Sequence, residues 1–121
     1  LRYLDQFRKS KEKQNNDNIS RAKTYMKDHL HKKISLEEIA RHTDLSLSHF
    51  CLLFKQQTTY TPVEYLTMLR IQKACNLLSL SRQKINEIAN EVGYEDAYYF
   101  SRVFKKTMGK SPREYRLQQK G

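Results

Sequence analysis

Leu36-Glu-Glu-Ile-Ala40, Phe50, Phe54-Lys55 and Pro62-Val-Glu-Tyr65 return later in the same chain as Ile85-Asn-Glu-Ile-Ala89, Phe100, Phe104-Lys105 and Pro112-Arg-Glu-Tyr115. The offset is 49 residues from Ile39 to Ile88 and from Ala40 to Ala89, but 50 from Phe50 to Phe100 and from Pro62 to Pro112. One residue has therefore been added in the second copy, between Ala89 and Phe100, where a turn is expected. A period of this length marks two copies of one supersecondary unit. Each copy reads as a short helix, a tight turn, a second helix, then a third helix opened by proline. That order outlines a helix-turn-helix, whose second helix suits a DNA major groove.

The segment ends support this reading. Apolar residues at 19, 22, 26 and 30 mark one face of a helix over residues 17–30. Ser35-Leu-Glu-Glu38 is a capping box, Ser46 caps the next helix to about Gln57, and Thr61-Pro62-Val-Glu64 opens a long helix through Leu66, Leu69, Cys75, Leu77 and Leu78. Helices follow at about 84–92 and from Asp96 to about Thr107, and Ser111-Pro112-Arg-Glu114 starts the last. Gly93 and Gly109 stand where helices must stop and where a positive φ is expected to suit glycine. No segment alternates with period two, so no sheet is expected. The fold class is all-α: two helix-turn-helix subdomains joined by a long linker helix, about seven helices in all.

The expected domain organisation is a linker or tail over 1–16 and a double helix-turn-helix over 17–119. Its first unit covers about 17–60, the linker helix about 61–79 and the second unit about 80–119. Residues 8–16 are polar and lack apolar anchors, which suggests a linker; Leu1, Tyr3, Leu4 and Phe7 read as the end of an upstream domain. A chain that opens on Leu1 rather than Met is expected to be part of a longer protein.

Within each unit, two helices that cross over a short turn bring their backbones close, and Ala40 and Ala89 leave room for it. Phe50 with Phe54, and Phe100 with Phe104, are i, i+4 pairs that form one inward stripe per helix. The opposite face is then outward: Leu47, Ser48, Cys51, Leu52 and Lys55 in the first copy, Ala97, Tyr98, Ser101, Arg102 and Lys105 in the second. If the two units are held about one DNA turn apart, roughly 34 Å, one monomer can read two successive major grooves.

Composition agrees. The 121 residues carry a formal charge of +10 and a pI near 9.7, which suits a polyanionic partner. Charge alone would leave a solvated surface equally good. No apolar run approaches a membrane span, so no membrane partner is expected. Cys51 and Cys75 have no metal spacing and are expected to stay reduced in a cytosol. His29-Leu-His31 places two histidines on different helix faces, so no metal site is expected.

The stretch Tyr94-Glu-Asp-Ala-Tyr-Tyr-Phe100-Ser-Arg102-Val-Phe104-Lys-Lys106-Thr-Met-Gly109-Lys-Ser111-Pro112-Arg-Glu-Tyr115-Arg116 resembles the C-terminal signature of the AraC/XylS transcription regulators. The resemblance spans about residues 18–117, with Arg70-Ile-Gln-Lys-Ala74 in support. It implies a seven-helix domain, promoter binding, regulation of transcription and an upstream effector-binding or dimerisation domain. Carried over by position, the base-facing residues are Leu47, Ser48, Cys51 and Leu52, then Ala97, Tyr98, Ser101 and Arg102. Arg102 is the expected direct base reader. Leu52 cannot donate a hydrogen bond, so the first unit is expected to read thymine methyls and shape. Ser46, His49, Lys55, Lys105, Lys106, Ser111 and Arg113, together with helix N-termini, are expected at phosphates.

No cofactor is expected, and the partners are double-stranded DNA and RNA polymerase, at a cytoplasmic, nucleoid-associated location. An enzyme would need a nucleophile with its base, paired carboxylates or a phosphate-cradling glycine loop, and the three glycines lie at or near helix ends or the terminus. The alternative is a helical interaction module that tethers a partner such as RNA polymerase. RNA is disfavoured because the aromatic residues are expected to turn inward instead of forming a stacking platform. Arg102 has a rival role as a surface ion-pair residue, and Tyr98 as a half-exposed aromatic.

Overall fold

A computed structural model of the protein describes residues 2–120. They form α1 (Arg2–His29), α2 (Leu36–Arg41), α3 (Leu47–Thr58), α4 (Pro62–Leu80), α5 (Ile85–Glu91), α6 (Ala97–Met108) and α7 (Pro112–Lys120), with no strand among the described residues. The capping signals act as their chemistry demands. Ser35 Oγ accepts the Glu38 N–H at 3.1 Å, and Ser46 Oγ accepts the His49 N–H at 3.2 Å. At α4 the box is reciprocal: Thr61 Oγ1 accepts the Glu64 N–H at 3.1 Å while Glu64 Oε1 accepts the Thr61 N–H at 3.0 Å. Ser111 Oγ accepts the Glu114 N–H at 3.1 Å. Each such cap satisfies a backbone donor that the helix itself leaves unpaired.

The chain divides into two compact units. The first holds residues up to 28 together with 34–65. Its buried apolar side chains include Ile19, Ala22 and Met26 of α1, Ile39 and Ala40 of α2, and Phe50, Leu53 and Phe54 of α3. Phe54 meets Phe50 at 5.6 Å between ring centroids and Tyr65 edge-on at 5.3 Å. The second unit holds residues 29–33 and those from 66 onward. It buries Leu66, Ile71, Ala74 and Leu78 of α4, Ile88 and Ala89 of α5, Val92, and Phe100 and Phe104 of α6. Phe104 meets Phe100 at 5.8 Å and Tyr115 edge-on at 5.6 Å, so the aromatic triad of the first copy is rebuilt in the second. Burying an apolar side chain of this size contributes about 1.5–3 kcal/mol. These phenylalanines therefore dominate each small core.

The turn geometry repeats as well. Asp44 (φ 61°) and Gly93 (φ 97°) are the matching left-handed residues between the first and second helices of each copy. Thr59 (φ 67°) and Gly109 (φ 81°) match at the ends of α3 and α6, where each N–H returns to the carbonyl four residues back. Glu95, between Tyr94 and the α6 cap Asp96, occupies the one-residue lengthening of the second turn.

Two features differ from the sequence reading. Residues 8–16, expected as a linker, continue α1 as helix. Arg, Lys, Glu and Gln are good helix formers, and an exposed helix propagates from an already anchored turn at little cost. Apart from half-buried Asn15, the side chains of residues 8–16 are exposed, so no apolar periodicity betrayed them. Leu1, Tyr3, Leu4 and Phe7, read as part of an upstream domain, have side chains outside the described residues. The second difference concerns residues 29–33, which belong to the second unit even though they precede the first helix-turn-helix in the chain. Arg70 of α4 holds them: its Nε donates to the Leu30 carbonyl at 3.0 Å and its Nη2 to the Lys32 carbonyl at 2.9 Å. Arg116 of α7 does the same at the end of α4, donating to the carbonyls of Leu78 at 3.1 Å and Ser81 at 3.3 Å. Both guanidiniums sit where helix carbonyls lack partners and the dipole favours a cation.

Candidate nucleic-acid interface

The buried phenylalanine stripe of α3 leaves its opposite face to solvent. Leu47, Ser48 and Leu52 are exposed there, Leu52 by 60 %, and Cys51 is half-buried. Cys51, Leu52 and Lys55 line a shallow groove of about 590 Å³ together with Leu36, Pro62 and Val63. Leu47 and Ser48 lie a turn earlier on the same helix, outside that groove. The face is apolar, with Lys55 at its edge. Ser46 caps α3 through a neutral oxygen, and no acidic residue follows in the first turn, so the positive end of the helix dipole stays open to an anion. His49 is exposed beside it. Glu64 is held below the usual carboxylate range, chiefly by the Thr61 N–H it accepts and with Lys55 contributing.

The second unit presents α6 on the same scaffold with different chemistry. Tyr98 is 84 % exposed, Arg102, Lys105 and Lys106 are exposed, and Ala97 and Ser101 are half-buried. Arg102 has no ion-pair partner among the described residues. The N-terminus of α6 is closed by Asp96, whose carboxylate accepts the N–H groups of Tyr98 at 2.8 Å and Tyr99 at 3.3 Å. A helix start already holding a carboxylate does not attract a phosphate. The neutral cap of α3 thus suits a phosphate better than the acidic cap of α6. Of the remaining expected phosphate residues, Arg113 is exposed in the first turn of α7, and Ser111 is half-buried as its cap. The Ser46 and Ser111 oxygens accept backbone hydrogens, which leaves each hydroxyl hydrogen to donate.

The α5–α6 turn is held tightly. Gly93 has positive φ, and a Cβ there would lie 2.2 Å from the Leu30 carbonyl oxygen and 2.9 Å from Arg70 Nε. Only glycine allows that approach. Arg70 also stands 5.5 Å over the Tyr94 ring, and Tyr94 meets Phe100 at 5.6 Å and Tyr99 at 5.9 Å. Burial lowers the Arg70 pKa and raises that of Tyr94, while their proximity partly opposes both shifts. Elsewhere in this unit burial raises the Cys75 thiol, a change that its hydrogen bond with Tyr115 moderates.

Sequence reasoning missed several residues of this surface. A cleft of about 600 Å³ brings Arg102 together with Lys32, Lys33, Glu95 and Tyr99, none of which was singled out, and with His31, weighed only as a metal ligand. The aromatic residues other than Tyr98 were expected to turn inward; the four paired phenylalanines do, but Tyr99, 54 % exposed, lies outward with Tyr98.

A family model described as a helix-turn-helix domain matches residues 39–118, both repeats included. The chain belongs to the AraC-type helix-turn-helix family. It is 45 % identical over 92 residues to the MmsAB operon regulatory protein of Pseudomonas aeruginosa, covering 76 % of this chain and 30 % of that one. It is 35 % identical over 117 residues to the arabinose operon regulatory protein of Escherichia coli, covering 96 % and 40 %. The chain thus spans well under half the length of these regulators. Among solved structures it matches the C-terminal domain of AraT, a response regulator from Geobacillus stearothermophilus, at TM-score 0.80, 35 % identity and 84 % coverage of each chain. It also matches the DNA-binding domain of the global transcriptional factor AdpA in complex with a target DNA, at TM-score 0.79, 25 % identity, and 83 % and 90 % coverage. The AraC-type domain described here is accordingly an all-helical DNA-binding domain of the transcription-regulator class. No helix among the described residues is long and apolar enough to cross a membrane.

Proposed function

We propose that this domain binds promoter DNA as a monomer, α3 and α6 each entering one of two adjacent major-groove segments. The observation that carries the reading is the repeated Phe–Phe–Tyr core, which turns one face of each second helix to solvent in both copies. On α6, Arg102 reads guanine bidentately, with Tyr98 and Ser101 auxiliary and Ala97 in apolar contact. On α3, Leu47, Cys51 and Leu52 make apolar contact with thymine methyls, and Ser48 supplies a hydroxyl. Ser46, His49, Lys55, Lys105, Lys106, Ser111 and Arg113 contact phosphates and fix register. The likeness to the AdpA–DNA complex supports the partner.

We further propose an upstream effector-binding or dimerisation domain, for which the greater length of the regulator relatives leaves room, and contact with RNA polymerase. The same relatives support a regulatory role; its exercise at the nucleoid belongs to the proposal. The rival reading, a module that only tethers a protein, has no observation in its favour: the unpaired cations Arg102, Lys105 and Lys106 share α6 with the reading face.

Hydroxyl-radical footprinting of the monomer on a selected duplex tests the proposal. Two protected segments about one helical turn apart are expected. Protection of a single segment, or dependence of specific binding on dimerisation of this fragment, would contradict it. Affinity should fall with salt at a log–log slope of about −0.9 per phosphate contact, and Lys105→Ala should flatten that slope by about one.

A further inference from the structure

We propose that the segment His31–Lys33, which precedes the first helix-turn-helix in the chain, is a phosphate-holding element of the second. It rests on the reading of α6 as a groove-reading helix and adds a contact that the helix-turn-helix pattern does not contain.

Three observations place the segment there. Arg70 pins its backbone through the Leu30 and Lys32 carbonyls at 3.0 and 2.9 Å. The Leu30 carbonyl also lies against Gly93, so close that any side chain at that position would collide with it. The segment is therefore fixed against the α5–α6 turn from two sides. Finally, His31, Lys32 and Lys33 line one cleft of about 600 Å³ with Tyr99 and Arg102 of α6.

The electrostatics favour an anion in that cleft. Lys32, Lys33 and Arg102 are exposed and have no ion-pair partner among the described residues. Two carboxylates at the rim, Glu95 and the α6 cap Asp96, oppose them, and with Arg70 the lining still holds more cations than carboxylates. Because Arg102 is both a cleft residue and the proposed base reader, a DNA strand whose base it reaches runs its backbone past the same cleft. Arg70 uses its donors on carbonyls, so it positions the lysines instead of contacting DNA. The ligand is a backbone phosphate flanking the half-site read by α6, and the contact carries no sequence information.

The test uses the full chain with Lys32→Ala and Lys33→Ala combined, and Lys105→Ala as the reference variant. Both lysine side chains are exposed and Arg70 grips main-chain carbonyls, so the melting temperature should not move. On the best selected duplex, the double variant should make the log–log salt slope shallower by about one to two. It should leave the selected motif unchanged. In ethylation interference it should lose a phosphate beside the α6 half-site and none beside the α3 half-site. An unchanged slope and interference pattern would overturn the proposal, as would a lost phosphate beside the α3 half-site. Failure of the underlying reading looks different: wild type would then show no two-segment protection and Lys105→Ala would leave the slope alone.

Discussion

The two copies of the repeat share a core and differ over much of the surface that solvent can reach. In both, a phenylalanine pair 5.6–5.8 Å apart carries a tyrosine edge-on at 77°. Close packing tolerates little change in volume, and that keeps these positions alike. The turns diverge: the left-handed positions are Asp44 and Thr59 in the first copy but Gly93 and Gly109 in the second. The reading helices diverge further. The α3 face is apolar with Lys55 at its edge and a neutral cap, whereas the α6 face carries two lysines and an arginine with no ion-pair partner among the described residues, behind an acidic cap. The two copies thus present chemically unlike outward faces, proposed above as the reading surfaces, and the freedom to differ resides in those faces and their caps.

Substitutions at matched positions can break or sharpen this contrast. The largest effect belongs to Gly93→Ala, which combines strained backbone with a clash against the fixed Leu30 carbonyl. A loss of about 3 kcal/mol in denaturant unfolding is expected. Its counterpart Gly109→Ala meets nothing within 4 Å, so only the backbone term of about 1–2 kcal/mol should appear. Equal losses at the two glycines would remove the case for a tight α5–α6 turn. For binding, Arg102→Ala should cost about 1–3 kcal/mol on the best site. Leu52→Ala should cost less, about 1 kcal/mol from lost apolar contact. The first copy offers the reverse experiment. Thr59→Gly relieves a β-branched residue held at φ 67° and should stabilise by about 0.5–1 kcal/mol in the same unfolding assay. Asp44→Gly should gain less, because aspartate tolerates this conformation and Asp44 also pairs with Arg21 at 3.8 Å. The smallest effect concerns pH. The folded state holds the Glu64 carboxyl below its ordinary range, so the associated stability is present above the unfolded pKa and lost as pH falls through the folded one. Glu64→Gln should slightly flatten the acid side of the stability–pH curve.

The repeat itself was legible because its signals are local. Serine and threonine caps, prolines at first turns, glycines at helix ends and phenylalanines four apart each announce one backbone or packing requirement. Four of the seven helices open on a serine or threonine cap that was read from the sequence and is hydrogen-bonded in the fold. Helix α5 opens on Lys84 with no side-chain cap, and its place came from the repeat alone. Residues 8–16 of α1 escaped because a helix with no buried face has no apolar period to read. The cleft beside Arg102 escaped for another reason. It depends on Arg70 reaching carbonyls 38 and 40 residues away, a contact that no periodicity encodes. The outward faces of α3 and α6 were found by elimination, as the side opposite the phenylalanines. That logic says which residues face solvent and not which neighbours from distant segments join them, so Tyr99, Lys32 and Lys33 were left out.

The most direct measurement of unequal reading heads is selection of duplexes from a random library by the wild-type domain and by Arg102→Ala and Leu52→Ala. The expected wild-type motif has its strongest positions in the half-site read by α6, including a guanine that disappears with Arg102→Ala. Leu52→Ala should leave that half unchanged and weaken at most a thymine in the other. A motif untouched by Arg102→Ala and erased by Leu52→Ala would contradict the assignment of reading roles to the two helices.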